Sequence, residues 1–114
     1  MGYPRDRFYE LYSEFLQREK ALLSFKRDEY TPDGEEDCLA NFRQIAVFED
    51  RTPEQVCMTH TMKHIQSIMR AINTGRYHFA WEVDGGEGLK QRIADARNYL
   101  ALLAAILDEK SQGR

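Results

Sequence analysis

The side chains best placed to do chemistry lie in residues 87–107, "EGLKQRIADARNYLALLAAIL". At 100° per residue, Leu89, Ile93, Ala96, Leu100, Leu103 and Leu107 form one apolar stripe of a helix, and Leu102 and Ile106 open a second. Followed toward the N-terminus, the second stripe turns polar through Asn98, Asp95, Gln91 and Glu87. Carboxylates and amides lining a gap between helices are the usual means by which a bundle holds a divalent metal, because hard cations take oxygen ligands. The plainer reading is that the bundle splays at this end and the polar face is simply wet.

Two other clusters carry possible chemistry. Phe8, Tyr12, Phe15, Glu19, Leu22 and Lys26 fall along one helical line, which sets Glu19 in the middle of an apolar stripe. An ionised carboxylate buried there needs a cation, a metal or a proton, unless the helix turns it to solvent. In "CMTHTMKH", Cys57, His60 and His64 share a face at i, i+3, i+7, a set compatible with zinc. Thr61 occupies the place of the glutamate in a His-Glu-x-x-His motif, and no second His/Cys pair follows at finger spacing, so a buried cysteine beside partly exposed histidines is the commoner arrangement. Nothing resembles a nucleophile elbow or a phosphate loop, and "DGGEG" is a short glycine cluster of the kind that breaks and caps helices.

These residues must be positioned by helices. The patterning predicts helices over about residues 5–29, 35–48 and 53–72, followed by one over about 87–107. The first puts Phe8, Leu11, Tyr12, Phe15, Leu22 and Leu23 on one side, and Pro32, Asp33 and Gly34 end it with turn chemistry. The second buries Cys38, Leu39, Phe42, Ile45 and Ala46, with acids in its first turn to suit the helix dipole. The third begins with Thr52 as N-cap, Pro53 at the first helical position and Gln55 completing a capping box, and its buried stripe is Met58, Met62, Ile65, Met69 and Ile72. Residues 75–87, with alternating Tyr77, Phe79 and Trp81, read as a longer ordered loop, since a lone strand has no partner. The expected fold is all-α, one domain over residues 1–114: a four-helix bundle with short connections.

Composition narrows the partners. The 114 residues suffice for one core, and 42 % hydrophobic with 31 % charged residues describes an ordinary folding chain. A net charge of −3, with lysines and arginines scattered among acids, gives no reason to expect nucleic acid or an anionic membrane. No apolar run reaches membrane-spanning length, and "MGYPRDRFYE" lacks the core of a signal peptide, so the expected setting is the cytoplasm, with Cys38 and Cys57 as free thiols.

Taken together, "ANFRQIAVF", "TPEQVCMTHTMKHIQSIMR" and "GEGLKQRIADARNYLALLAAIL" are similar to small phage-encoded helical proteins of the nucleotide-modification-associated type. Those in turn resemble the all-α, MazG-like nucleoside triphosphate pyrophosphohydrolases. The resemblance spans about residues 26–107 through short motifs. Tyr30 matches that group's tyrosine, Asn41 and Phe42 its Asn-Phe pair, Lys63 its central lysine, and Glu87, Asp95 and Tyr99 its last-helix Glu, second Asp and Tyr. Gln91 replaces the first aspartate of that helix, Ala40 stands where an acid often precedes Asn-Phe, and Met62 stands where an aspartate often precedes the lysine.

The resemblance implies Mg²⁺ held by clustered carboxylates and bridging substrate phosphates. Glu87 and Asp95 would be its ligands here, with Glu19, Glu36 or Asp37 as helpers, while Lys63 or Arg70 neutralises phosphate and Asn41, Gln91 and Asn98 line the substrate site. Missing acids weaken such a metal site, which implies a reduced pyrophosphohydrolase or a nucleotide binder, placed in the host cytoplasm if phage-encoded. The alternative is a non-catalytic helical interaction protein, a homo-oligomer or a binder of a host or phage protein, supported by the two-faced last helix and the aromatic loop around Trp81. A small-molecule sequestering protein using the same cleft is the third reading.

Overall fold

The computed structural model describes residues 2–30 and 37–113, and the side chains of all of these except 24–30. They form four helices, α1 (Arg5–Tyr30), α2 (Ala40–Glu49), α3 (Pro53–Thr74) and α4 (Leu89–Ser111), with two-residue strands β1 (Glu82–Val83) and β2 (Gly86–Glu87) before α4. The fold is all-α, and no helix among the described residues is long and apolar enough to cross a membrane.

α3 starts as its sequence dictates. Thr52 Oγ1 accepts from the Gln55 N–H at 3.2 Å and Gln55 Oε1 accepts from the Thr52 N–H at 2.9 Å, a complete capping box ahead of Pro53. α2 begins later than its pattern predicts. The Asp37 carboxylate accepts from the Leu39 N–H and the Asp37 carbonyl from the Ala40 N–H, so residues 37–39 form a turn and the first helical turn carries no acid. Cys38, expected in the core, is exposed on that turn.

α4 is the spine, and its two halves carry separate cores. Toward its C-terminal end, Leu39, Phe42 and Ala46 of α2 and its preceding turn, Val56 and Cys57 of α3, and Ile106 pack together with Tyr99, Leu102 and Leu103. Toward its N-terminal end, Phe15 of α1, Trp81 and Ala94 form the second core, with Phe15 and Trp81 ring centroids 4.8 Å apart. Among the described residues, the α1 side chains in these cores belong to the second one.

The buried face of α3 is rotated from the expected one by about one residue, roughly 100°. Met58, Met62, Met69 and Ile72 are exposed, whereas Cys57, Thr61 and Ala71 are buried, with His64 and Ile68 half-buried on the same line. Small residues on that line let α3 approach α4 closely. The Thr61 hydroxyl is satisfied locally, donating to the Cys57 carbonyl at 2.8 Å.

Polar clamps tie the ends together. Arg43 bridges Asp37 (2.9 Å) and Glu109 (2.6 Å), and its hydrogen bonds hold the Asp37 carboxyl below the usual range. Lys110 donates to Glu54 at 2.8 Å; this bond, with the helix-start N–H and the Thr52 hydroxyl, lowers the Glu54 pKa from 4.5 to about 2. Groups with lowered values stabilise the fold above their ordinary pKa and stop doing so as pH falls through the lowered one. The melting temperature is therefore expected to drop as pH falls from 4.5 to about 2. In the Arg43→Ala, Lys110→Ala double variant the drop should be shallower, and equal drops in thermal melts of both proteins would contradict the assignment.

The ordered loop expected over residues 75–87 contains an antiparallel ribbon, Glu82 opposite Glu87 and Val83 opposite Gly86, turned at Gly85 (φ 89°). The ribbon caps α4. The N–H groups of Gly88, Leu89 and Lys90 donate to the carbonyls of Trp81 (2.9 Å), His78 (2.9 Å) and Ala80 (3.2 Å), filling donors that a helix start leaves open. This requires glycine at 88, where a Cβ would lie 1.8 Å from the Ala80 oxygen. Gly88→Ala should destabilise the protein by about 3 kcal/mol, lowering the melting temperature by roughly 10 °C. Gly86→Ala, with nothing within 4 Å of its Cβ, should leave it nearly unchanged. Equal melting temperatures for the two variants would refute the close packing at 88.

Candidate functional site

The polar face of α4 is buried, but its members do not converge. Asp95 and Asn98 are 6 % and 4 % exposed, less than Leu100 and Leu107 of the apolar stripe at 46 % each. Asn98 Nδ2 donates to the Glu19 carbonyl at 3.3 Å, and Gln91 Nε2 donates to Asp95 Oδ1 at 3.1 Å. Glu19 is buried rather than turned to solvent, with Oε2 2.6 Å from Arg97 Nε. The Nε–H does not point at that oxygen, which has no hydrogen-bond donor, so the contact is a charge pair rather than a formed hydrogen bond. Arg97 also lies over Tyr12 and Phe15, 5.2 and 5.8 Å from their centroids. The polar residues beneath α1 thus serve its docking. A second tie joins α1 to the ribbon, where the Trp81 indole N–H and Lys90 Nζ both donate to Glu14 Oε1 and hold its carboxyl low.

Glu87 is elsewhere. It lies before α4, exposed on β2. Asp37 is fixed by Arg43 near Glu109, which lies 20 residues beyond the start of α4, about 30 Å along the axis. Glu36 lies outside the described residues. Among those described, no three His, Cys, Asp or Glu side chains gather at one point, and Glu87, Asp95 and Asp37 lie apart from one another.

Cys57, His60 and His64 are also separated by function. Cys57 is fully buried, donates to the Tyr99 carbonyl at 3.3 Å, and has its thiol pKa raised by burial. His60 and His64 stack on the Tyr99 ring at 5.7 and 4.9 Å, and burial, then nearby Lys63, lowers the His60 pKa.

What the fold does gather is positive charge. Lys63, His64, Ser67 and Arg70 of α3 face Glu87 of β2 and Arg92 of α4 across an open groove of about 670 Å³. Lys63, Ser67 and Arg70 follow at i, i+4, i+7 on one side of α3, the outer two about 10 Å apart along the axis. None of Lys63, Arg70 and Arg92 has a carboxylate within 4 Å among the described residues, while Arg43, Lys90, Arg97 and Lys110 do. Three cations facing one acid make a surface that attracts a multiply charged anion, and the arginines can grip phosphate with two N–H groups at once.

Of the sequence-predicted residues, the fold thus brings together Lys63, Arg70 and Glu87. Asp95, Gln91 and Asn98 lie in the helix seam, and Asn41, on α2, does not line the groove. Arg92 and Ser67 join the groove without having been read from the sequence. Ser67 lies on the helical line from Lys63 to Arg70, whereas Arg92 had no signal, because a single arginine on a charged helix has no distinguishing spacing. Comparison of the chain with protein-family models, with curated proteins and with solved structures finds no match.

Proposed function

We propose that this is a nucleotide-associated protein, which binds the polyphosphate of a (deoxy)nucleoside triphosphate in the groove between α3 and the start of α4. The observation that carries the reading is the meeting of Lys63, Arg70 and Arg92 on one groove, with Glu87 as the acid that lines it among the described residues. Phosphate oxygens would supply the missing counter-charge, with the Ser67 hydroxyl between the two α3 cations. Glu87 is the groove's one acid, so Mg²⁺ would enter as a companion of the phosphates and rest mainly on their oxygens. The resemblance of residues 26–107 to nucleotide-handling helical proteins points to the same ligand class.

A second reading, a homo-oligomeric or host-binding interaction protein, has its own support. Met58, Met62, Leu103 and Leu107 line an adjoining groove of about 670 Å³, on the other side of Lys63, and Met69 and Ile72 continue the exposed stripe along α3. Exposed apolar rows of this kind are common at interfaces.

One experiment tests both. A nucleoside triphosphate at 100 times its Kd should raise stability by about 2.7 kcal/mol in thermal melts. Lys63→Ala with Arg70→Ala should abolish the rise and leave the unliganded melt unchanged. No rise for the wild type, or the same rise for the variant, would overturn the nucleotide reading. Sedimentation of the same samples tests the second: self-association that Met62→Glu removes supports it, and a wild-type monomer counts against the homo-oligomer.

A further inference from the structure

The cationic groove does not end at Glu87. It runs into a neighbouring depression of about 420 Å³ whose walls include Tyr77, His78, Val83 and Leu89, and Glu87 and Arg92 line both. The two ends differ in chemistry: Lys63, Arg70 and the Ser67 hydroxyl at one, two exposed rings, two aliphatic side chains and Arg76 at the other, with Glu87 and Arg92 at the boundary. Among the described residues, neither the Tyr77 nor the His78 ring stacks on another ring, and Tyr77 is 46 % exposed. The backbone beneath them is nevertheless fixed, because the His78 carbonyl accepts from both the Ala80 and the Leu89 N–H groups at 2.9 Å.

This order of groups, cations, then an acid, then aromatic rings, matches the order of parts in a nucleoside triphosphate. We infer that the ribbon and the segment leading into it hold the nucleoside, with the base on Tyr77 and His78 and the sugar hydroxyls donating to the Glu87 carboxylate. The phosphates then run to Lys63, Arg70 and Arg92. The inference rests on the nucleotide reading above and adds which end of the site reads which part of the ligand. Glu87 contributes direction as well as contact: its charge repels phosphate from the middle of the groove and favours a hydroxyl donor there. Stacking tolerates any base, because every base has a π-face, so the rings give affinity for the nucleoside without dictating its identity.

The test is calorimetric titration of the full chain with inorganic tripolyphosphate and with each of the four ribonucleoside triphosphates. The wild type should bind the tightest of the four at least about tenfold more strongly than tripolyphosphate. Tyr77→Ala with His78→Ala should erase that preference while leaving tripolyphosphate affinity within about twofold, and Tyr77→Leu with His78→Leu repeats the test should the first variant melt lower. Glu87→Gln should weaken the nucleotide severalfold without weakening tripolyphosphate. Equal affinity for tripolyphosphate and nucleotides in the wild type, or a preference that survives loss of both rings, overturns this inference and leaves the phosphate groove standing. Binding of neither ligand overturns the polyphosphate reading and this inference with it.

Discussion

The backbone contact between residues 78–81 and the first turn of α4 is the constraint on which the rest of the structure depends. Three carbonyls meet three consecutive amides there, and the approach is so close that position 88 has no room for a side chain. A helix start buried without a polar side-chain cap is ordinarily costly. Here the ribbon acts as the cap, and in doing so fixes three things at once. Trp81 is presented to Phe15 and Glu14 of α1, Glu87 is placed before the helix rather than on it, and Arg92 is turned toward α3.

Charge is distributed along the same lines. The chain as a whole is acidic, at −3, and the acids that pack between elements are held in structural pairs: Glu14 with Lys90, Glu19 with Arg97, Glu54 with Lys110, and Asp37 and Glu109 with Arg43. What remains in the α3–α4 groove is local positive charge that net composition conceals. The α1 seam illustrates a different balance. Desolvating Glu19 beside Arg97 adds little net stability, since removing two charges from water offsets most of their attraction. The pair instead specifies how α1 lies on α4, with Asn98 fixing the Glu19 carbonyl at the same point.

Much of the fold was legible in the chain because local rules agreed with tertiary ones. Thr52, Pro53 and Gln55 start α3 where the capping rule places the start; the interruption of the α1 stripe by Glu19 left burial and exposure both open, and the fold buries it beside Arg97. The errors have physical causes. The methionine row of α3 is the larger apolar stripe, but α4 selected the adjacent line of Cys57, Thr61 and Ala71, because small residues pack closer. Helical periodicity carried Glu87 onto α4, whereas the helix begins two residues later, at Leu89, after an extended Gly88 packed on Ala80 by a contact that no local pattern encodes. Of the site, Lys63, Arg70 and Glu87 were named from the sequence. Arg92 was not, since a single arginine on a charged helix has no distinguishing spacing.

The most direct measurement of the central contact is amide hydrogen exchange at Gly88, Leu89 and Lys90. If the carbonyls of Trp81, His78 and Ala80 cap α4, these three amides exchange far more slowly than an open helix start, approaching the protection of the α4 interior. Exchange at the rate of an unstructured chain would contradict the cap, and with it the placement of Glu87 and Arg92 on one groove.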